Sequence, residues 1–227
     1  MNRSGSKPDP MTDPGGAGER QRLEQGLRRI GLGPVPAQVD ALLQHIALIR
    51  KWAGSYNLVS SGDLDALIER HLLDSLAVDP WLQGGHVLDV GSGAGFPGVP
   101  LAIVRPDWQF TLLDSSGKRT RFLRTVVRSL GMTHLEVVEG RVEDYAPGVE
   151  FSTIVSRAFS ALALFARRVR HLANPETRVV AIKGRLPAAE LAELPDWAKV
   201  TAVESYDVPG LHAERHVVIM SLSPQPA

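Results

Sequence analysis

Residues 86–98 read His-Val-Leu-Asp-Val-Gly-Ser-Gly-Ala-Gly-Phe-Pro-Gly, and this stretch constrains the chain more than any other. Val87-Leu88-Asp89-Val90 is a short apolar run of the kind a buried parallel strand needs. Gly91, Gly93 and Gly95 follow at alternate positions, and the apolar segment Val99–Val104 then begins a helix. Glycines at a strand-to-helix turn permit positive φ and let a ligand approach the main chain closely. The dinucleotide fingerprint G-x-G-x-x-G would require glycine at 96, where Phe96 stands.

What remains is D-x-G-x-G-x-G, the pattern of enzymes that use S-adenosylmethionine. That cofactor has no pyrophosphate, so its turn must offer close backbone approach to the methionine part, with Asp89 near the ammonium group. Asp114 gives a second anchor. Gln109–Leu113 reads as the next strand and ends in this acid, 23 positions after Gly91. A carboxylate there accepts hydrogen bonds from ribose hydroxyls. It could equally cap the helix that starts near Ser116, and NAD would satisfy the same spacing.

The chain has 227 residues, enough for one α/β domain with a small appendage. Its net charge is zero, so any RNA contact must come from local patches. There is no cysteine, which excludes disulfides, thiolate zinc sites and pyrimidine C5 methylation through a cysteine nucleophile. No clustering of histidines and carboxylates suggests a metal. No apolar run approaches a membrane span, and no hydrophobic leader marks the N-terminus, so a cytoplasmic monomer without membrane contact is expected.

Residues 1–18, rich in proline and glycine, are expected to form a disordered tail. Helical apolar spacing over 19–30, 39–52 and 64–78 predicts an N-terminal helical cap, residues 19–80, ahead of a catalytic domain at 81–227. From His86 the pattern alternates between strand and helix. Strands are expected at 86–90, 109–114, 134–139, 151–156, 177–183, 199–207 and 215–222, with helices near 97–104, 117–130, 160–172 and 187–194. Only a loop with Pro209-Gly210 separates the last two strands, which implies an antiparallel hairpin. The fold class is therefore α/β: a Rossmann-like methyltransferase with a seven-stranded, mostly parallel sheet.

After the fourth strand comes Ser156-Arg157-Ala158-Phe159 rather than the proline turn that binds exocyclic amines. Arg157, at the position facing the transferred methyl group, is a poor base. It can bind phosphate, pair with guanine O6, or form a surface salt bridge. Phe159 reads as core or helix staple ahead of base stacking. Lys118, Arg119, Arg121, Arg124 and Arg128 share one helix, with no acid between Ser115 and Leu135. A solvated face normally mixes signs, so a phosphate-binding edge is favoured, with Lys183 on the same rim. Arg167, Arg168 and Arg170 form a weaker cluster. His71 and Asp74 stand one helical turn apart, as a structural pair or as an oriented catalytic imidazole.

Together these residues resemble the bacterial glucose-inhibited division protein B family, methyltransferases of guanine N7 in small-subunit ribosomal RNA. The matching pieces are Asn57-Leu58-Val59-Ser60, Arg70-His71-Leu72-Leu73-Asp74-Ser75, residues 89–98, Leu113–Arg119, Gly140-Arg141-Val142-Glu143, Ser156-Arg157-Ala158, Lys183-Gly184 and Glu214-Arg215-His216. The resemblance implies cofactor contacts from Gly91, Gly93, Phe96, Asp114, Val142, Glu143 and Arg157. Asp89 and Gly95 of the turn and Ser115 beside the ribose acid complete that set. It also implies RNA contacts from Lys118, Arg119, Arg141, Arg157 and Lys183, joined by Arg124 on the basic helix. Arg157 is the candidate catalytic residue, and the partner is ribosomal RNA or an assembling small subunit. A small-molecule methyltransferase remains the alternative, and a nicotinamide reductase a more distant one.

Overall fold

The computed structural model describes residues 14–224 apart from 57, 158 and 160. Asn57 and Ala158 of the matching pieces therefore lie outside the described residues. Two long helices come first, α1 (Pro14–Arg29) and α2 (Pro36–Tyr56). Leu23 and Leu27 of α1, and Val39, Leu42, Ile46 and Ile49 of α2, recur at helical spacing and are all buried. Because α1 begins at Pro14, the tail drawn over 1–18 extends too far, and residues 1–13 lie outside the described residues.

The helix expected over 64–78 is broken. A 3-10 turn, Ser61–Ala66, leads into π-helical winding at Ile68–Leu73 and then one α turn, α3 (Asp74–Leu76). A π turn is wider than an α turn, so residues three apart no longer stack as neighbours. His71 and Asp74 accordingly do not pair. Asp74 Oδ1 instead accepts from Tyr206 Oη at 3.1 Å and Arg215 Nε at 2.9 Å.

The sheet contains β1 (His86–Val90), β2 (Gln109–Asp114), β3 (Leu135–Glu139), β4 (Thr153–Ser156), β5 (Arg178–Lys183), β6 (Ala198–Ser205) and β7 (His216–Leu222). Their order is β3-β2-β1-β4-β5-β7-β6, with β1 to β5 parallel and β7 antiparallel to both neighbours. The C-terminal pair is thus antiparallel as expected, and β7 inserts between β5 and β6. The crossover helices are α4 (Gly98–Val104), α5 (Gly117–Leu130), α6 (Leu162–Val169) and α7 (Ala188–Ala192). The helix expected to 172 ends as a 3-10 turn, Arg170–Leu172.

Alternate residues of each strand feed opposite cores. Val87 and Leu112 join the core containing the cap helices, α4 and α5, while Leu88 and Leu113 join the one under α6. The boundary at 80/81 consequently separates elements but not cores. Chain direction away from β1 reverses between β2 and β4, and in such sheets ligands bind at the carboxyl ends of the strands at that point.

Candidate active site

Two cavities adjoin at this rim. The first, about 350 Å³, is lined by Gly91, Asp114, Ser115, Arg119, Arg141, Val142, Glu143 and Phe159 among others. Of the glycine turn, Gly91 lines it and Gly93 and Gly95 do not. Gly91, Gly93 and Gly95 have φ of +76°, +59° and +95°, a region side chains rarely enter. Leu113 O accepts from Gly91 N at 2.7 Å, pinning the turn to β2. A Cβ on Gly93 would meet only Gly91 O, at 3.9 Å, so the turn leaves open space there.

Asp114 is buried and does two jobs. Its Oδ2 accepts from Gly93 N at 2.9 Å, and its Oδ1 accepts from Ser116 N, also at 2.9 Å. Asp114 is thus not the helix cap itself, since Ser116 takes the N-cap position and Asp114 holds that residue's N–H from two positions upstream. It keeps unused lone pairs facing the cleft, since an ionised carboxylate offers about four. Asp89 behaves differently from expectation. It is fully buried, does not line the cleft, and its Oδ2 accepts from Gly98 N at 3.0 Å. Its Oδ1 has no partner, and burial raises its pKa to about 7. Phe96 also turns inward, its ring 5.0 Å from both His45 and His71. His45 Nε2 reaches Ala94 O at 2.9 Å, so the cap supports the turn from behind. Nothing in the local sequence around His45 signals that role.

The second cavity, about 300 Å³, is lined by Asp63, Arg70, His71, Asp74, Arg157, Lys183 and Arg215 with Ile182 and Gly184. Arg157 is its hub. Its Nη2 donates to His71 Nδ1 at 3.0 Å, and its Nη1 lies 3.5 Å from Asp74 Oδ2. The guanidinium carbon stands 5.2 Å over the Phe96 ring. Because Nδ1 accepts, His71 is the Nε2–H tautomer, and that N–H is buried without a hydrogen-bond partner. Burial, and next the charge of Arg157, lower the His71 pKa to about 4. Burial also lowers the Arg157 pKa, and Asp74 opposes that. The segment after β4 separates the cavities, giving Arg157 to one and Phe159 to the other.

The expected RNA cations divide. Lys118, Arg119, Arg124 and Arg141 are exposed, and Arg119 and Arg141 edge the first cavity. Arg119 lies 3.7 Å from Asp114, and Arg124 lies 3.8 Å from Glu139, so the helix has acidic neighbours on β2 and β3 that its own sequence lacks. Lys183 is held by Glu190 at 2.7 Å and Phe159 O at 3.2 Å. Of the weaker cluster, Arg168 pairs with Glu143 at 2.8 Å, and Arg170 donates to Ser223 O at 2.8 Å. Asp63, Tyr206, Glu190 and His45 were not legible as site residues. Arg70 and Arg215 were visible only inside matching pieces, without a role. Among the described residues no group of three His, Cys, Asp or Glu side chains could hold a metal ion, and no helix is long and apolar enough to cross a membrane.

The chain matches the family model for rRNA small subunit methyltransferase G over residues 38–218. It is 47% identical to ribosomal RNA small subunit methyltransferase G of Chromobacterium violaceum over 201 residues, 88% of this chain and 96% of that protein. The protein of the same name from Legionella pneumophila is 42% identical, over 89% of this chain and 94% of its own. Among solved structures, the glycopeptide N-methyltransferase MtfA with S-adenosylmethionine gives a TM-score of 0.55 at 14% identity, covering 68% of this chain and 88% of that one. TrmN from Thermus thermophilus gives 0.51 at 18%, covering 68% of this chain and 53% of that one. At such identities these two speak for the fold alone.

Proposed function

The chain belongs to the rRNA small subunit methyltransferase G family, and from that membership we propose that it methylates N7 of a guanine in 16S ribosomal RNA using S-adenosylmethionine. The observation that carries the cofactor assignment is the floor of the first cavity. There Gly91 and the open side of Gly93 meet Asp114, whose Oδ2 holds Gly93 N. Asp114 would hold the ribose hydroxyls, with Ser115, Val142 and Glu143 along the same wall. Gly91 and Gly93 would let the methionine part approach the backbone, whereas the open side of Gly95 is filled by Val99, His45 and Leu123. Asp89 and Phe96 act behind the turn, the first through Gly98 N, the second as the ring beneath Arg157.

When bound, the cofactor supplies an electrophilic methyl group on a sulfonium sulfur, which leaves as a neutral thioether. Guanine N7 already carries an in-plane lone pair, so the protein need not remove a proton first. The residues agree with that requirement. His71 accepts from Arg157 and is neutral at physiological pH, and Arg157 is protonated, so neither is arranged to take a proton. Their work is to orient the acceptor ring, exclude water and hold the reacting atoms in line. Arg157 reads O6 or a phosphate beside the ring. Arg119, Arg124, Lys118 and Arg141 hold the RNA backbone.

The protein works as a monomer in the cytoplasm, on ribosomal RNA or an assembling small subunit, with the helical cap at 19–80 serving the methyltransferase domain at 81–227. Tritiated S-adenosylmethionine is incubated with unmethylated small subunits, with naked ribosomal RNA and with a metabolite pool. Label should enter the 16S RNA as 7-methylguanine. Label confined to a metabolite would replace this reading with a small-molecule methyltransferase.

A further inference from the structure

Resting on that reading, the geometry points to the second cavity as the receptor for the acceptor guanine, with Asp63 as the residue that selects guanine against other purines. The wall of this cavity is dominated by donors: Arg70, Arg157, Lys183 and Arg215. The edge of guanine that carries N7 and O6 presents two acceptors, whereas adenine places an amine beside N7. Donors toward O6 therefore suit guanine and oppose adenine. Arg157 has five N–H groups, and its contacts to His71 and Asp74 leave donors for a ligand.

Guanine's opposite edge reverses the demand, since N1–H and the N2 amine both donate. Enzymes that modify a base commonly extrude it and hydrogen-bond this edge. Two carboxylates line the cavity. Asp74 is deeply buried and engaged by Tyr206, Arg215 and Arg157. Asp63 is partly exposed, and each oxygen has one hydrogen-bond partner: Oδ1 accepts from Arg70 Nη1 at 2.7 Å, and Oδ2 accepts from Ser60 Oγ at 2.5 Å, with His71 Nε2 farther off at 3.8 Å from Oδ2. Two lone-pair sites remain, as many as the N1–H and N2–H pair requires. Ser60 first, then Arg70, holds the Asp63 pKa below the usual carboxylate range, so the group acts purely as an acceptor. The 300 Å³ of the cavity falls at the lower end of the range for small-molecule sites, fitting one base rather than a larger ligand.

The test uses the full-length protein and substrate RNA bearing guanine, inosine or 7-deazaguanine at the position labelled in the experiment above. Inosine keeps N7, O6 and N1–H but lacks the N2 amine. The unaltered protein should lose about 10- to 100-fold in kcat/KM on inosine, the range for one lost hydrogen bond to a charged acceptor. Asp63→Asn should lose a similar factor on guanine and little more on inosine, collapsing the difference between the two. Arg70→Gln breaks the ion pair but keeps the carboxylate, so it should preserve the difference. A full guanine–inosine difference in Asp63→Asn would overturn the assignment. So would a collapse in Arg70→Gln, which would make the ion pair and not the carboxylate responsible. Efficient methylation of 7-deazaguanine would instead overturn the N7 reading itself.

Discussion

Asp114 concentrates the logic of the site in one side chain. It binds the glycine turn through Gly93 N and fixes Ser116, the residue that precedes α5, through its N–H. Asp114→Ala should therefore weaken S-adenosylmethionine binding by about 1–3 kcal/mol, measured by calorimetry, and should also lower the melting temperature. Loss of affinity without loss of stability would mean that the backbone bonds are dispensable. His71 makes the second prediction at this scale. With a pKa near 4 it stays neutral from pH 6 to 9, so the single-turnover rate should be nearly flat across that range. A log-linear rise ending in a plateau would reveal a general base. Asp114 was legible from its spacing because strand and turn are contiguous in sequence. The Arg157 hub was not, because His71, Asp74 and Arg215 approach it from positions 86, 83 and 58 residues away.

At the level of elements, α5 was drawn from sequence with the bounds it has, and its basic face was visible. Its counter-charges were not, since Glu139 reaches Arg124 across the sheet edge from β3. That pair is exposed, so it contributes about 0–1 kcal/mol. Arg119→Ala combined with Arg124→Ala should leave the melting temperature nearly unchanged. RNA affinity should fall, and its salt dependence should become shallower by about one unit per lost phosphate contact. An unchanged salt slope would return the helix to the role of a solvated face. α4 makes a contrasting case. A Cβ on Gly98 would stand 2.2 Å from Leu112 Cδ2 and 2.7 Å from Asp89 Oδ2. Gly98→Ala should destabilise the protein by about 1–3 kcal/mol, read by urea unfolding. The cap shows the limit of periodicity: apolar spacing over 64–78 located the segment but could not reveal the π winding that separates His71 from Asp74.

Across the whole molecule, three buried groups give stability a dependence on pH with opposing signs. His45 and His71 are lowered to about 4, in both cases chiefly by burial, from 6.5. Between those values the unfolded chain binds protons that the folded protein does not, so stability falls as pH drops through the window. Asp89, raised by burial from 3.8 to about 7, keeps a proton that the unfolded chain releases, so its contribution is lost as pH rises through that interval. Asp89→Asn removes only the second effect. Its stability relative to the unaltered protein should climb between pH 5 and pH 7.5, measured by urea midpoints at both. A constant difference would show Asp89 to be charged throughout. The strand count and the antiparallel pair were readable from the spacing of apolar runs. The insertion of β7 between β5 and β6 was not, because pairing partners leave no mark on a strand's own pattern. That insertion has a consequence for biosynthesis. A ribosome delivers β5 and β6 before it makes β7, so during translation those two strands wait with exposed edges and no partner in common. The enzyme whose substrate is ribosomal RNA can thus close its own sheet only after most of it has already left a ribosome.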